Sequence, residues 1–166
     1  MNELENTIAF NEERLDLREF ILKESNIKKY IVDASVALKW YYRKDEKDLD
    51  KAEKLYSFLW SDKEMLMAPE LIIFEILNTL RLKIDMALED IELILSNLFQ
   101  VLFLLDTDKE FLEKAFKYSR ELNISFYDSI YIAFSEKYDS PLITADKKLY
   151  EVCKETRFKT LLISDI

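Results

Sequence analysis

Acidic residues stand at four positions where a carboxylate could do chemistry: Asp33, Glu75, Asp128 and Asp146. Asp33 directly follows the apolar run 30–32, and Asp146 closely follows a second apolar run, 141–144. A helical pattern begins directly after each of these two acids. In open α/β sheets, ligands bind outside the carboxyl ends of the strands. We therefore expect Asp33 and Asp146 to face a common cleft.

Glu75 lies in the middle of a predicted helix, residues 70–83, in which most of the side chains are apolar. A helix that is apolar on all sides is expected to be buried. A buried carboxylate needs a cation, a metal ion or a proton, so Glu75 could bind a ligand or form an internal ion pair. It could also face a water-filled groove. Asn78 lies one turn later and is expected to share its face.

Two of the acids have a purely structural explanation as well. Ser125 and Asp128 have the spacing of a capping box, and an acid in the first turn of a helix favours the helix dipole. Asp146 could cap the helix that follows it. The structural explanation is weakest for Glu75, because a helix interior offers a carboxylate no such role.

Oxygen donors alone select hard cations such as Mg²⁺ or Mn²⁺, which activate water and stabilise the oxygens of a phosphoryl displacement. The chain has no histidine and one cysteine, which excludes Ser-His-Asp and Cys-His catalysis and the commonest zinc ligand. Hydrolysis by metal-activated water is the chemistry that fits the remaining residue types best. Ser35 and Thr144 are expected to hydrogen-bond the carboxylates or a metal-bound water.

Alternating strand and helix patterns predict a single α/β domain with a parallel central sheet of about five strands, flanked by helices on both faces. The chain has 166 residues, and residues 1–28 read as a helical extension ahead of this domain, residues 29–166. The extension could pack on the domain or contact a partner. The predicted strands lie near 30–33, 65–68, 101–105, 141–144 and 160–163. With no glycine in the chain, Asn, Asp and Ser must supply the turns, as at 139–141.

The net charge of −9 argues against broad binding of phosphate backbones. It does not exclude a nucleic-acid enzyme, because bound divalent cations reverse the local sign of a carboxylate cluster. No apolar run approaches the roughly 20 residues of a membrane span. The single cysteine fits a reducing cytoplasm, so we expect a cytoplasmic protein without a membrane segment.

Four segments, VDASVALKW, APELIIFEILNTL, SFYDSIYIAFSEKY and PLITADKKL, together resemble the PIN domain and most closely the VapC-type toxin ribonucleases. The resemblance covers roughly residues 29–166 and implies one metal-binding carboxylate in each segment. It also implies a hydroxyl residue two before the last acid, here Thr144, and often one after the first acid, here Ser35. Asn78 matches a polar position commonly found after the glutamate. The family usually has Gly where residues 139–140 stand here, and its chains usually begin closer to the first strand.

This resemblance implies Mg²⁺- or Mn²⁺-dependent endonucleolytic cleavage of RNA, usually by a homodimer. It also implies inhibition by a cognate antitoxin, which often inserts a basic side chain among the acids. On this hypothesis three acids, Asp33, Asp128 and Asp146, hold the metal ion, and Glu75 completes the site or orients the attacking water. Basic residues near the predicted mouth could contact phosphate or be ordinary surface charges: Lys39, Arg43, Lys147 and Lys148.

Two alternatives belong to other functional classes. A phospho-acceptor receiver domain would place its acceptor after the third strand, at Asp106, but it would leave Glu75 and Asp128 unexplained. A PIN-fold module without catalysis would only bind a partner. The presence of all four acids speaks against the second alternative.

Overall fold

The computed structural model describes Leu22 and residues 26–166. The helical extension predicted for residues 1–28 lies almost entirely outside the described residues, and Lys28 belongs to the first strand. Five strands occur in the described part of the chain: β1 (Lys28–Val32), β2 (Glu64–Pro69), β3 (Phe103–Leu105), β4 (Leu142–Thr144) and β5 (Thr160–Leu162). The α-helices of this part are α1 (Ala34–Ala37), α2 (Leu49–Tyr56), α3 (Leu71–Lys83), α4 (Leu88–Val101), α5 (Lys109–Leu122), α6 (Phe126–Lys137) and α7 (Lys147–Cys153).

The five strands form one parallel sheet in the order β3-β2-β1-β4-β5. This confirms the predicted α/β fold. The chain moves outward from β1 to β3 on one side of the sheet, whereas β4 and β5 lie on the other side. Ile31 pairs with Leu142, and Val32 pairs with Ile143, where the order reverses. The carboxyl ends of β1 and β4 therefore form the switch point at which open α/β sheets bind ligands.

Helix α6 is the most deeply buried of the described helices. Its residues 129–135 are all buried, and the helix contacts β1, β2, β4 and α5. Burial on every side fixes the helix against the sheet and thereby fixes the position of its first turn, which carries Asp128. None of the described helices combines the length and the apolarity that crossing a membrane requires.

Helix α3 differs from the sequence-based prediction, which expected burial on all sides. Ile72, Ile76 and Leu80 face the core, but Phe74 and Leu82 are 69% and 70% exposed. The core-facing residues follow the i, i+4, i+8 spacing of one helix face, so the sheet and its neighbours cover only that face. The prediction of full burial is wrong because it was inferred from the apolar composition of the helix. The apolar side chains on the outer face of α3 do not contact the domain core.

The turns of this glycine-free chain are made by Asp and Asn, as predicted. Asp45, Asp48, Asn123 and Asp139 adopt positive φ angles of 59°, 56°, 53° and 48°. Asn and Asp enter the left-handed region more readily than other non-glycine residues, because their short polar side chains can hydrogen-bond locally. Asp139 makes the turn between α6 and β4, where the resemblance leads one to expect glycine.

Candidate active site

Asp33 lies at the carboxyl end of β1 and immediately before α1. Its backbone N–H donates a hydrogen bond of 3.0 Å to the carbonyl oxygen of Ile143, which holds the end of β1 against β4. The residue is only 7% exposed, and its side chain makes no capping bond to α1. Its carboxylate instead accepts one hydrogen bond from the Ser35 side chain in α1 and another from Thr144 at the end of β4.

Two hydroxyl groups hold one oxygen of the Asp33 carboxylate. Ser35 Oγ and Thr144 Oγ1 donate to Asp33 Oδ2 at 2.7 and 2.6 Å. Each hydroxyl also accepts a backbone N–H at 2.9 Å, Ser35 from Ala145 and Thr144 from Asp146. Because each hydroxyl has a single proton, these acceptor bonds direct that proton toward Asp33. The arrangement fixes the plane of the carboxylate and leaves Oδ1 for another ligand.

The Asp33 carboxyl has a raised pKa. Burial is the largest cause, and the negative charge of Asp128 raises the pKa further. The hydrogen bonds from Thr144 and Ser35 act in the opposite direction, because they stabilise the ionised form. Either a proton or a neighbouring cation would relieve the cost of burying this charge.

Glu75 shares the electrostatic environment of Asp33. Burial raises the pKa of the Glu75 carboxyl to about 7, and the charges of Asp33 and Asp128 add to that effect. Tyr131 acts against it by donating a hydrogen bond of 2.5 Å from its hydroxyl to Glu75 Oε2. The acids on β1, α3 and α6 are therefore close enough to influence one another's ionisation.

Asp128 makes one of the two contacts of the capping box that the Ser125–Asp128 spacing predicted, together with a bond between the two side chains. Ser125 Oγ accepts the backbone N–H of Asp128 at 3.0 Å and donates to Asp128 Oδ2 at 2.7 Å. This reciprocal pair closes the first turn of α6 and holds the carboxylate at the start of the helix. The cap uses Oδ2, so it is compatible with a ligand on Oδ1.

Asp146 is the N-cap of α7. Its Oδ1 accepts the backbone N–H groups of Lys148 and Leu149 at 2.7 and 3.2 Å. Its own backbone N–H donates to Thr144 Oγ1, which in turn donates to Asp33. Asp146 is therefore linked to Asp33 through one hydroxyl, while its exposed side chain stabilises the helix that follows.

The donor set fits a hard divalent cation, but the described residues do not contain a formed cluster. No three acidic or cysteine side chains in residues 26–166 converge closely enough to hold a metal ion as they stand. The expectation that four acids already meet around one ion is therefore not met. Mg²⁺ is commonly held by one or two carboxylates together with water and substrate phosphate. Asp33, Glu75 and Asp128 would hold such an ion partly through water, and metal binding by these acids and by Asp146 stays a prediction.

The four basic residues predicted near the mouth have different environments. Lys39 is 6% exposed, and its ammonium lies 2.6 Å from Glu46 Oε2. A phosphate contact by Lys39 does not fit this placement, because the ammonium is buried in an ion pair. Arg43 is exposed and pairs with Glu53 at 2.6 Å, whereas Lys147 and Lys148 are exposed at the start of α7.

The hydrogen-bond partner of Glu75 is Tyr131, not Asn78, which the sequence placed on the same helix face. The Asn78 side chain is exposed, and its Oδ1 accepts from the Arg81 guanidinium at 3.2 Å, so it makes no bond to Glu75. Tyr131 makes that bond instead and was not predicted as a site residue. The available signal was its position three residues after Asp128 on the same helix face, in a buried segment where a tyrosine hydroxyl needs a partner.

The sequence model of the PIN domain matches residues 30–155 of the chain. The chain belongs to the PIN domain family. This match spans the strands and helices that carry all four acids, and it confirms the resemblance drawn from the four sequence segments. It also removes the receiver-domain alternative, in which Asp106 would be the phospho-acceptor.

Solved structures with the same fold include proteins of toxin–antitoxin pairs. The PIN chain is similar to PAE2754 from Pyrobaculum aerophilum, with 21% identity, a TM-score of 0.60, and coverage of 85% of this chain and 93% of that one. VapC20 from Mycobacterium tuberculosis, described as a sarcin-ricin loop cleaving toxin, shares 15% identity with a TM-score of 0.61 over 75% of this chain and 95% of its own. VapBC-1 from nontypeable Haemophilus influenzae shares 14% identity with a TM-score of 0.59 over 82% and 98%. At these identities the likeness establishes the fold, and no curated protein matched the chain.

Proposed function

We propose that this PIN domain is a Mg²⁺- or Mn²⁺-dependent endoribonuclease and the toxin of a VapBC-type pair. PIN domains are generally nucleases. The observation that carries the proposal is the Asp33 carboxylate at the switch point, oriented by two hydroxyls and sharing its electrostatic field with Glu75 and Asp128. Such a group of oxygen donors suits a cation and a phosphodiester substrate.

Each acid has a distinct part in this mechanism. Asp33 would offer Oδ1 to the ion, and Asp128 would offer its Oδ1 directly or through water, because hydroxyl groups already engage Oδ2 in both residues. Glu75 would complete the metal site through Oε1 or orient the attacking water with it, since Tyr131 engages its Oε2. A bound divalent cation supplies acidity to the water and neutralises charge that develops on the phosphate. Asp146 contributes charge at the rim while it caps α7.

RNA is the proposed substrate, and its phosphates would meet the start of α7. Lys147 and Lys148 are exposed there, directly after the Asp146 cap, and Arg43 is a further exposed candidate. The similar fold of VapC20, named as a sarcin-ricin loop cleaving toxin, supports RNA over DNA as the substrate class. With a net charge of −9, this chain would bind phosphate locally rather than over a broad surface.

We further propose a cytoplasmic homodimer that binds a cognate antitoxin. Large apolar side chains are exposed along α3, α4 and their connection: Phe74, Leu82, Ile84, Leu88, Leu93 and Phe99. Several large exposed apolar side chains on consecutive elements are typical of protein interfaces. Similar folds occur in VapBC-1 and in FitAB, which was solved bound to a DNA fragment. Light scattering of the purified chain, alone and with the protein encoded beside it, measures both associations.

Cleavage of a labelled RNA by the purified chain tests the enzymatic proposal. We expect internal cuts that require Mg²⁺ or Mn²⁺ and stop on chelation, and we expect Asp128→Asn to abolish them. Asp128→Asn preserves the size and hydrogen-bonding shape of the cap, so a folded variant separates catalysis from helix capping. Cleavage that persists in this variant, or that needs no divalent ion, would contradict the proposal. A wild-type chain without nuclease activity but with antitoxin binding would favour the silent PIN module.

A further inference from the structure

Tyr131 connects two elements that carry acidic residues. It lies on α6, is 1% exposed, and donates its hydroxyl proton to Glu75 Oε2 on α3 at 2.5 Å. The helix that carries this hydroxyl, α6, also contacts β1, the strand that Asp33 directly follows. One buried hydroxyl therefore links α6 to the middle of α3.

This contact restricts a side chain that would otherwise have several conformations. A glutamate has three rotatable bonds, and Glu75 is only half-buried on the flank of α3. The bond to Tyr131 fixes the position of Oε2 and thereby the plane of the carboxylate. Tyr131 itself cannot adjust, because its whole helical segment, residues 129–135, is buried. The orientation of Glu75 thus depends on the core of the domain.

We propose that Tyr131 is a positioning residue, which holds the Glu75 carboxylate in the orientation that binds a divalent cation. Tyr131 acts through Glu75 and touches neither the ion nor the RNA. The inference rests on the proposed function for the identity of the ion, but not for RNA cleavage. A group that orients a metal-binding side chain contributes about 10- to 100-fold to metal affinity.

Tyr118 provides a matched control for this inference. It is also a buried tyrosine, and its hydroxyl donates to the Glu136 carboxylate. That pair lies in a separate cluster of charges with Lys114 and Arg157. Tyr131→Phe and Tyr118→Phe therefore remove the same atom and a bond of the same type to a glutamate, and Tyr118→Phe also removes a bond from Arg157. Only the first change alters the candidate active site.

The test measures Mn²⁺ binding by titration calorimetry of the full chain, with thermal unfolding as a check of folding. We expect Tyr131→Phe to weaken Mn²⁺ binding at least tenfold and Tyr118→Phe to leave it within twofold of wild type. Adding Tyr131→Phe to Glu75→Gln should cause no further loss, because the proposed effect passes through Glu75. Glu75→Asp gives a second variant, which keeps the carboxylate but withdraws it from Tyr131, and we expect a similar loss of at least tenfold.

Three results would overturn the inference: equal Mn²⁺ affinity in the two Tyr→Phe variants, a further loss in the Glu75→Gln background, or no Mn²⁺ binding by the wild-type chain. RNA cleavage is measured separately in each variant. If wild type binds Mn²⁺, loses affinity on Tyr131→Phe and yet cuts no RNA, the proposed nuclease function fails while the positioning role of Tyr131 stands.

Discussion

Thr144 Oγ1 donates a hydrogen bond of 2.6 Å to Asp33 Oδ2 across 111 positions of the chain. The bond joins the carboxyl ends of β4 and β1 at the point where the strand order reverses. Thr144 Oγ1 also accepts the backbone N–H of Asp146 at 2.9 Å. The two bonds together connect Asp33, Thr144 and Asp146 and restrict the relative positions of the two strand ends.

We predict that Thr144→Val lowers both stability and cleavage. Valine keeps the shape of the side chain but leaves buried Asp33 with one donor fewer, which costs about 1–3 kcal/mol of unfolding free energy. Metal-dependent cleavage should fall about tenfold or more. Thr160→Val is the control, because the Thr160 hydroxyl is buried but has no hydrogen-bond partner among the described residues. Equal urea midpoints and equal cleavage rates for the two variants would contradict the prediction.

The pKa of Glu75 predicts how stability depends on pH in the metal-free protein. Folding raises this pKa from 4.5 to about 7, so the folded state binds more protons than the unfolded state between those values. Stability should therefore fall as pH rises from about 4.5 to about 7, and should stay low above that range. Urea unfolding at a series of pH values measures this slope. Glu75→Gln should flatten it, and a slope that persists unchanged in that variant would exclude Glu75 as its source.

Two glutamates should respond to neutralisation in opposite directions. At neutral pH, Glu75→Gln should raise the melting temperature, because burial and two neighbouring acids disfavour its charge. Glu136→Gln should lower it, since hydrogen bonds from Lys114, Tyr118 and Arg157 overcome partial burial and lower the Glu136 pKa to about 2. Each 1 kcal/mol corresponds to roughly 2–4 °C in a chain of this size. Calorimetric scans that show the same sign for both variants would refute this account of the two sites.

Asp146 combines a structural and a predicted catalytic role, and two substitutions separate them. Asp146→Asn should keep α7 capped, because asparagine is an equally good N-cap, while it removes the negative charge. Asp146→Ala should remove both, with a loss of about 0.5–2 kcal/mol. We expect both variants to lose metal-dependent cleavage but only the alanine variant to lose stability. Full activity in Asp146→Asn would show that this acid only caps the helix.

Much of the site could be predicted from the spacing of neighbouring residues and of predicted elements in the sequence. The strand–acid–helix pattern at Asp33 placed its carboxylate at a strand end, and parallel strands share one such edge. Ser35 and Thr144 lie within two residues of an acid at that edge, so their contact with a carboxylate followed from position. The Ser125–Asp128 cap is determined within one helical turn, which makes it readable from spacing alone.

The remaining features depend on contacts between distant segments. The apolar run at Val101 was predicted as strand, yet Val101 ends α4 and β3 begins at Phe103, because short apolar runs fit either element. Lys39 was predicted to face solvent, whereas the fold buries it against Glu46. The Tyr131–Glu75 bond spans 56 positions, and nothing in either local segment specifies it.

Diffraction from crystals soaked in Mn²⁺, recorded at the manganese absorption edge, locates a bound ion most directly. We predict one anomalous peak within coordination distance of a carboxylate oxygen of Asp33, and within one bridging water of Glu75 and Asp128. The peak should vanish in crystals of Asp33→Asn. A manganese ion elsewhere on the chain, or none at concentrations that support RNA cleavage, would contradict the claim that these acids form a metal site.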